Sequence, residues 1–316
     1  LTTRRQRQMC IRDRYIIMSV KLGIAPIAWS NDDMPELGGE TTLDQCLSEA
    51  SNAGFIGIES GGKFPKRSEE LLPQLDKYNL NLCSGWYGAN LRKNTVDDEK
   101  KLVQEQLKLF QDCKSPCLVF AEVSGSIQGD EKRNLSSRPK LDKEDAKKFY
   151  SKISEMAKYL EDQNMPMAYH HHMGTIIESE DDTRRLLENT HDSVKLTLDT
   201  GHMLFAQGNS LSLLTDFYER ILHIHCKDIR EEVLKNSLQN DYSFRQAFLE
   251  GAFTVPGDGC IDYKPIFDFL KTKNYSNWLV VEAEQDPAKA NPFEYAKIGY
   301  KYLVNTLNSS GIEIYK

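Results

Sequence analysis

Short apolar or β-branched segments alternate with longer amphipathic segments along almost the whole chain. This alternation is typical of parallel strands joined by crossover helices, because two parallel strands need a long return connection between them. The candidate strands are 20–26, 55–60, 79–86, 117–123, 165–172, 194–199, 221–226 and 278–284. The sequence therefore predicts a repeated strand–helix unit, counted eight times.

A helix candidate follows each of these strands. The first begins at Thr41 or Thr42, either of which can cap a helix, and ends at Gly54. The others are 68–78, 97–112, 142–163, 179–189, 209–219, 262–273 and 292–307. Because no Pro-, Gly- or Ser-rich linker separates two halves, we predict a single-domain α/β fold, a (β/α)8 TIM barrel. A doubly wound open sheet is the alternative.

The composition restricts the setting in which such a domain works. The 316 residues contain no apolar run near the roughly 18 residues that span a membrane, so we expect no membrane partner. The seven cysteines are odd in number and lack paired spacing, which argues against a disulfide framework. We therefore expect a cytoplasmic protein.

The first seventeen residues, LTTRRQRQMCIRDRYII, hold five arginines and one aspartate, and they lack an apolar periodicity. We interpret 1–17 as a non-native or disordered tail before a barrel domain at 18–316; a nucleic-acid-binding arm is the alternative. Without the tail's net charge of +4, the chain's charge of −7 becomes −11. Such a body repels phosphate backbones, so we expect no nucleic-acid partner.

Metal-ligating residue types are concentrated at the ends of the last four predicted strands. They are His170, His171 and His172, then Asp199 with His202, then His223 and His225, and finally Glu282 and Glu284. The carboxyl ends of barrel strands meet at one mouth, where barrel enzymes place their chemistry. Imidazole and carboxylate together suit Mn²⁺, Co²⁺, Zn²⁺ or Fe²⁺. The pattern predicts one mixed nitrogen and oxygen metal site, in which Glu284 competes with Glu282 and His223 is equally well a packing residue.

Three further segments fall at the same mouth. Glu59 ends the second strand, and Gly61 and Gly62 bring Lys63 near it, a pairing that favours proton transfer. A solvated loop is the alternative.

The segment after the first strand, with Trp29, Asn31 and Asp32, offers an aromatic plate beside polar groups that could hold a sugar-like ring. Lys227 and Asp228 follow the seventh strand and could contact substrate oxygens. The long connections 123–141 and 228–261 are candidate lids over this mouth.

Several strings carry a resemblance to a known family. They are WSNDDMPE from Trp29, GGKFP from Gly61, AYHHHMGT from Ala168, LDTGH from Leu198, HIHCKDIR from His223 and WLVVEAEQDP from Trp278. With them the chain resembles the myo-inosose-2 dehydratase family of the xylose-isomerase-like barrels, from about Met18 to the C-terminus. The resemblance implies a (β/α)8 fold, Mn²⁺ or Co²⁺, and glutathione as a further cofactor.

The resemblance also implies a ligand set. The four strand-end positions that hold the metal in these barrels match His170, Asp199, His225 and Glu282, although many relatives have glutamate where this chain has His170. His202 matches a residue that touches substrate in relatives, and His172 lies where others place a polar contact.

The implied reaction is the hydro-lyase conversion of scyllo-inosose, a cyclic polyol ketone, to 3D-(3,5/4)-trihydroxycyclohexane-1,2-dione and water in inositol catabolism. It needs a base at the carbon next to the ketone and an acid at the departing hydroxyl. Glu59, Lys63, His172 and His202 are the candidates, and we favour Lys63 with His202.

Three alternatives stay open: a sugar ketose epimerase or isomerase on the same barrel, a phosphodiester-cleaving DNA-repair nuclease, and a non-catalytic sugar-binding module. The nuclease would require several metals and a basic surface, which the charge disfavours. The sequence leaves a homo-oligomer open.

Overall fold

A computed structural model describes residues 19–32 and 34–315. Within this part of the chain, eight parallel strands pair in chain order and close into a barrel. The strands β1 to β8 are Ser19–Ile24, Gly57–Ser60, Asn81–Ala89, Leu118–Glu122, Met167–His170, Lys195–Asp199, Ile221–Cys226 and Trp278–Val281. Closure is parallel, with Leu22 of β1 opposite Leu279 of β8. The predicted single closed barrel is confirmed, and the open sheet is excluded. The predicted tail, 1–17, lies outside the described residues.

Helices surround the barrel, and most coincide with the predicted ones. The helices α1 to α12 are Leu43–Ala53, Ser68–Lys77, Val96–Leu102, Gln104–Asp112, Lys143–Asp162, Glu180–Glu188, Thr200–Phe205, Ser210–Asp216, Glu231–Gln239, Phe244–Leu249, Lys264–Thr272 and Pro292–Ser309. Thr42 is the residue that caps α1, because its hydroxyl accepts a hydrogen bond from the Gln45 amide at 3.1 Å. Gly54 ends α1 in the left-handed conformation at φ 111°.

The structure corrects several predicted boundaries. The helix predicted at 97–112 is divided into α3 and α4 at Val103, and the one predicted at 209–219 ends at Asp216 before a 3-10 turn at Tyr218–Arg220. The ends of two strands at the mouth also differ from the prediction: β5 ends at His170 and β8 at Val281. The side chain of His171 explains the first case, because its Nε2 accepts a hydrogen bond from the Asp199 amide at 3.2 Å, where a longer β5 would pair.

The two long connections pack together at the mouth and form a second, smaller core. The 228–261 connection contains α9, α10 and a two-stranded ribbon of Asp228–Ile229 with Phe253–Thr254. The 123–141 connection reaches it where the Leu135 amide donates to the Tyr242 carbonyl at 2.9 Å. The buried members of this core are Leu135, Met173, Phe205, Ile229, Leu234, Phe244, Ala247, Ala252 and Phe253. These connections are therefore packed parts of the domain.

None of the helices in residues 19–32 and 34–315 is long and apolar enough to cross a membrane.

The closure of the barrel depends on a small residue at Gly57. A methyl group built there would lie 2.3 Å and 2.5 Å from two ring carbons of Trp278, on β8. We predict that Gly57→Ala lowers the free energy of unfolding by about 1–3 kcal/mol, the usual cost of overpacking a core. Urea denaturation measures this, with Gly129→Ala as the control because nothing lies within 4 Å of the added methyl. An unchanged midpoint for Gly57→Ala would contradict the prediction.

Candidate metal centre and active site

Four ligand atoms from the last four strands meet at the mouth of the barrel. His170 Nε2 lies 3.0 Å from His225 Nδ1, 3.6 Å from Asp199 Oδ2 and 3.9 Å from Glu282 Oε2. His225 Nδ1 lies 3.5 Å from Asp199 Oδ2 and 3.1 Å from Glu282 Oε2. All four predicted ligands are thus brought together, in a group that can hold one divalent cation. Glu284, the alternative to Glu282, lies beside His172 and His202 instead.

The environment of these atoms fits a cation. Asp199 Oδ2 is buried and accepts no hydrogen bond of normal geometry from the described residues, and buried acceptors of this kind are rare unless another ligand uses them. Glu282 Oε2 is also buried, and its close neighbours are Lys227 Nζ at 2.8 Å and His225 Nδ1 at 3.1 Å. The other oxygen of Asp199 accepts the His202 amide at 2.7 Å and so caps α7. This fixes the side chain with Oδ2 toward the histidines. Two imidazoles with two carboxylates are the donors that Mn²⁺, Co²⁺ or Zn²⁺ prefer.

Glu59 contacts His225 on the side of the ring away from the ligand atoms. Its Oε1 accepts hydrogen bonds from His225 Nε2 and His223 Nε2, each at 3.0 Å, and from the Ser84 hydroxyl. Burial acts to raise the pKa of Glu59, but His225 and His223 lower it below its ordinary value. The carboxylate therefore fixes His225 with Nδ1 toward the ligand group, a contact that orients metal-bound histidines in proteins. This geometry favours positioning over the predicted proton transfer.

We predict that Glu59→Gln weakens metal affinity about 10–100-fold, the usual effect of removing such an outer contact. The amide keeps the shape of the side chain but removes the negative charge that makes His225 a stronger ligand. Titration of the metal-free protein against a chelating dye measures the affinity. Equal affinity in the variant would show that Glu59 has no part in the metal centre.

Lys227 has a different position from the one predicted for it. Its side chain is wholly buried, and its Nζ lies 2.5 Å from Glu284 Oε1, 2.8 Å from Glu282 Oε2 and 3.6 Å from Asp199 Oδ2. Burial acts to lower the pKa of Lys227, whereas Asp199 and the two glutamates raise it above its ordinary value. Lys227 is therefore an ammonium inside the charge network, not a residue that lines the cavity.

His172, His202 and Glu284 form a second group beside the ligands. His202 Nε2 lies 3.2 Å and His172 Nε2 lies 3.6 Å from Glu284 Oε1. His172 Nδ1 donates to the Met173 carbonyl at 2.8 Å, so that in the neutral ring Nε2 carries the free lone pair. Burial acts to lower the pKa of His172, but Glu284 raises it above its ordinary value. For His202, burial, His172 and Lys227 lower the pKa to about 3, so that His202 is neutral.

A cavity of about 100 Å³ opens beside these groups. Its walls include Asp32, Glu59, Trp86, His172, Glu282 and Glu284. Trp86 is 37% exposed, and its ring meets the rings of His170 and His172 edge-on, with centroids 5.5 Å apart in both cases. Trp86, not Trp29, is the aromatic side of this cavity. Trp86 lies on β3. The sequence predicted this strand but did not indicate which of its side chains faces the mouth.

Two predicted residues are held elsewhere. Trp29 is buried at 1% exposure, and its indole N–H donates to Glu49 of α1 at 2.6 Å. Lys63 Nζ donates to the carbonyls of Gly38, Gly39 and Thr41, at 2.8, 2.9 and 2.5 Å. These bonds use all three protons of the ammonium. The structure therefore does not bring Lys63 to the ligand group.

The remaining polar candidates divide between cavity and scaffold. Asp32 lines the cavity, and its Oδ2 accepts the Gly62 amide at 2.7 Å. Asn31 is buried, with its Oδ1 accepting the Met34 amide at 2.9 Å. Asp228 is also buried and accepts backbone amides of the 228–261 connection, including that of Ile261 at 2.9 Å. Asp228 thus holds this connection in place and does not line the cavity.

Comparison with known sequences places the chain among well-covered relatives. Residues 47–306 match the sequence model of the xylose isomerase-like TIM barrel family. The chain is 41% identical over 301 residues to the rhizopine catabolism protein MocC of Rhizobium meliloti, covering 95% of this chain and 93% of that protein. It is 42% identical over 286 residues to an inosose dehydratase of Clostridium tetani, covering 90% of this chain and 96% of that enzyme. The resemblance found in the sequence is confirmed.

Solved structures agree on the fold. The probable 3-DHS dehydratase AsbF of Bacillus anthracis superposes with a TM-score of 0.67 at 15% identity, covering 90% of this chain and 99% of that one. The IOLI protein, crystallised with a zinc atom, superposes with a TM-score of 0.63 at 16% identity, covering 92% and 99%. At these identities the likeness concerns the barrel alone.

Proposed function

Because this chain belongs to the xylose isomerase-like TIM barrel family and, within it, to the inosose dehydratases, we propose that it is a metal-dependent inosose dehydratase. The observation that supports this most directly is the convergence of His170, Asp199, His225 and Glu282 beside a cavity that His172 lines. The substrate would be scyllo-inosose and the product 3D-(3,5/4)-trihydroxycyclohexane-1,2-dione, with release of one water.

The four ligands would hold one divalent cation. A bound cation of this kind stabilises negative charge on a substrate oxygen. Hydrogen bonds fix two of these ligands in orientation. Glu59 accepts a hydrogen bond from His225, and Asp199 accepts one from the His202 amide with its other oxygen. The ring of Trp86 offers the apolar face of the cavity to the carbon skeleton of the substrate.

His172 is the residue best placed to move protons. His172 lines the cavity, and its Nε2 lies 3.6 Å from Glu284 Oε1. Because Nδ1 donates to the Met173 carbonyl, Nε2 of the neutral ring can accept a proton. We infer that it takes the proton from the carbon next to the ketone. The C–O bond to the β-hydroxyl then breaks, and the same imidazolium returns the proton to the departing oxygen, which leaves as water. The enol that remains tautomerises to the dione. This scheme replaces the pairing of Lys63 with His202, because Lys63 is bound to loop carbonyls and His202 Nε2 lies against the Lys227 ammonium at 2.8 Å.

Product analysis tests this function. Full-length protein loaded with Mn²⁺ and given scyllo-inosose is expected to produce the dione, followed by its new ultraviolet absorbance, and a chelator is expected to stop the reaction. An epimerase or isomerase would leave the number of hydroxyl groups unchanged and give no such absorbance. If every product kept all the hydroxyl groups of the substrate, the dehydratase assignment would be wrong.

The finer properties are also proposals. Mn²⁺ or Co²⁺ is the cation that we propose, and side-by-side loading of the metal-free protein distinguishes them from Zn²⁺. Glutathione as a second cofactor is tested by assaying with and without it. Of the described cysteines, Cys260 is the exposed one, and it lies in the 228–261 connection. We further propose a cytoplasmic location, a homo-oligomer, and a barrel domain at 18–316.

A further inference from the structure

The ammonium of Lys227 stands where a metal ion would be expected. Its Nζ is surrounded by ligand-type atoms: Glu284 Oε1 at 2.5 Å, Glu282 Oε2 and His202 Nε2 at 2.8 Å, and Asp199 Oδ2 at 3.6 Å. Carboxylate oxygens and the acceptor nitrogen of a neutral imidazole bind divalent metal ions and also accept hydrogen bonds from an ammonium. The atoms around the Lys227 ammonium are therefore of the types that surround a bound metal ion.

The atoms around Lys227 also have the spacing of a metal site. His172, His202 and Glu284 offer ligand atoms that all lie within 4.8 Å of one another. Glu282 and Asp199 contact both the Lys227 ammonium and the ligand group of His170 and His225, and their ligand atoms lie within 4.8 Å of one of His202. Two such groups that share carboxylates are the arrangement of a two-metal centre. Without the lysine, the described residues would form a second pocket for a cation.

The fold holds the Lys227 side chain firmly in this place. Its backbone carbonyl accepts hydrogen bonds from Thr200 Oγ1 at 2.8 Å and from the Tyr263 hydroxyl at 3.0 Å. Its stem passes over Gly201, where an added methyl would lie 2.5 Å from the Lys227 Cγ. Its Nζ also lies 5.0 Å from the centre of the Phe253 ring. The lysine is therefore part of the rigid structure of the mouth.

We propose that the Lys227 ammonium is a built-in substitute for a second metal ion and limits the centre to a single metal. The ammonium then compensates one negative charge of the buried carboxylates Asp199, Glu282 and Glu284, at the position that a second cation would otherwise take. This inference rests on the metal centre proposed above and is independent of the substrate.

Metal stoichiometry tests the proposal. Full-length wild-type protein, stripped of metal, incubated with Mn²⁺ and desalted, is expected to retain one ion per chain by elemental analysis. Lys227→Ala is expected to retain two. The electron paramagnetic resonance signal should change accordingly, from that of isolated Mn²⁺ to that of a coupled pair.

A second variant and a chemical rescue complete the experiment. Lys227→Gln removes the charge but keeps most of the stem, so that it serves if the alanine variant does not fold; it is also expected to retain more than one ion. Ethylammonium should re-enter the space left in Lys227→Ala and lower its content back to one ion. A folded variant that retains only one ion would overturn the inference, whereas a wild-type protein that retains none would instead remove the metal centre itself.

Discussion

Replacing Asp199 by alanine is expected to remove metal binding and turnover together. Asp199 Oδ2 lies close to both histidines, 3.6 Å from His170 Nε2 and 3.5 Å from His225 Nδ1. Since a catalytic metal supplies several kcal/mol of charge stabilisation, kcat should fall by about 10³-fold or more. Elemental analysis of the desalted protein and the ultraviolet assay for the dione measure the two losses.

Asp199→Asn separates the ligand role from the structural one. Asp199 Oδ1 caps α7 through the His202 amide at 2.7 Å, and asparagine caps helices as well as aspartate does. The asparagine variant should therefore keep the thermal stability that the alanine variant loses, by about 1 kcal/mol for a lost cap. It should still lose the metal, because the neutral amide is a poor ligand. If the asparagine variant kept both metal and normal turnover, the assigned metal centre would be wrong.

The convergence of the four proposed ligands could be predicted because it depends on strand order alone. Parallel strands place their carboxyl ends at one mouth, so that polar residues at four successive strand ends must converge there. The bounds of β7, Ile221–Cys226, were predictable for a different reason: the segment is a short, largely apolar run between two turns. Even where a strand ends early, as β5 does at His170, the convergence survives, because the end of the strand is what faces the mouth.

The side chains outside the strand ends could not be predicted in this way. Whether Trp29 or Trp86 faces the cavity depends on how β1 and its loop pack on α1, where Glu49 captures the indole of Trp29. Lys63 is close to Glu59 in sequence, but three loop carbonyls bind its ammonium. The position of the Lys227 ammonium is set by Asp199, at the end of β6, and by Glu282 and Glu284, which follow β8. Each of these outcomes is decided by partners distant in sequence, which no local pattern reports.

Replacing His172 by asparagine is expected to lower kcat by about 10²–10⁴-fold, the range for loss of a positioned acid–base group. The asparagine amide can still donate to the Met173 carbonyl, which His172 Nδ1 reaches at 2.8 Å, but nothing replaces the basic Nε2 beside Glu284. The metal content should stay at the wild-type value, because His172 is not among the four ligands. KM should change much less than kcat.

His191 provides the matched control, since it is an exposed histidine at the end of the α6 connection and lies outside the cavity. His191→Asn should retain wild-type kcat. A second readout isolates the first proton transfer: in deuterated water the wild-type protein should exchange the hydrogen next to the ketone of scyllo-inosose, and His172→Asn should not. If His172→Asn lost turnover but kept this exchange, His172 would be the acid that protonates the departing hydroxyl and another residue would be the base. If it kept both within a factor of about ten, less than any positioned acid–base group contributes, His172 would have no proton-transfer role.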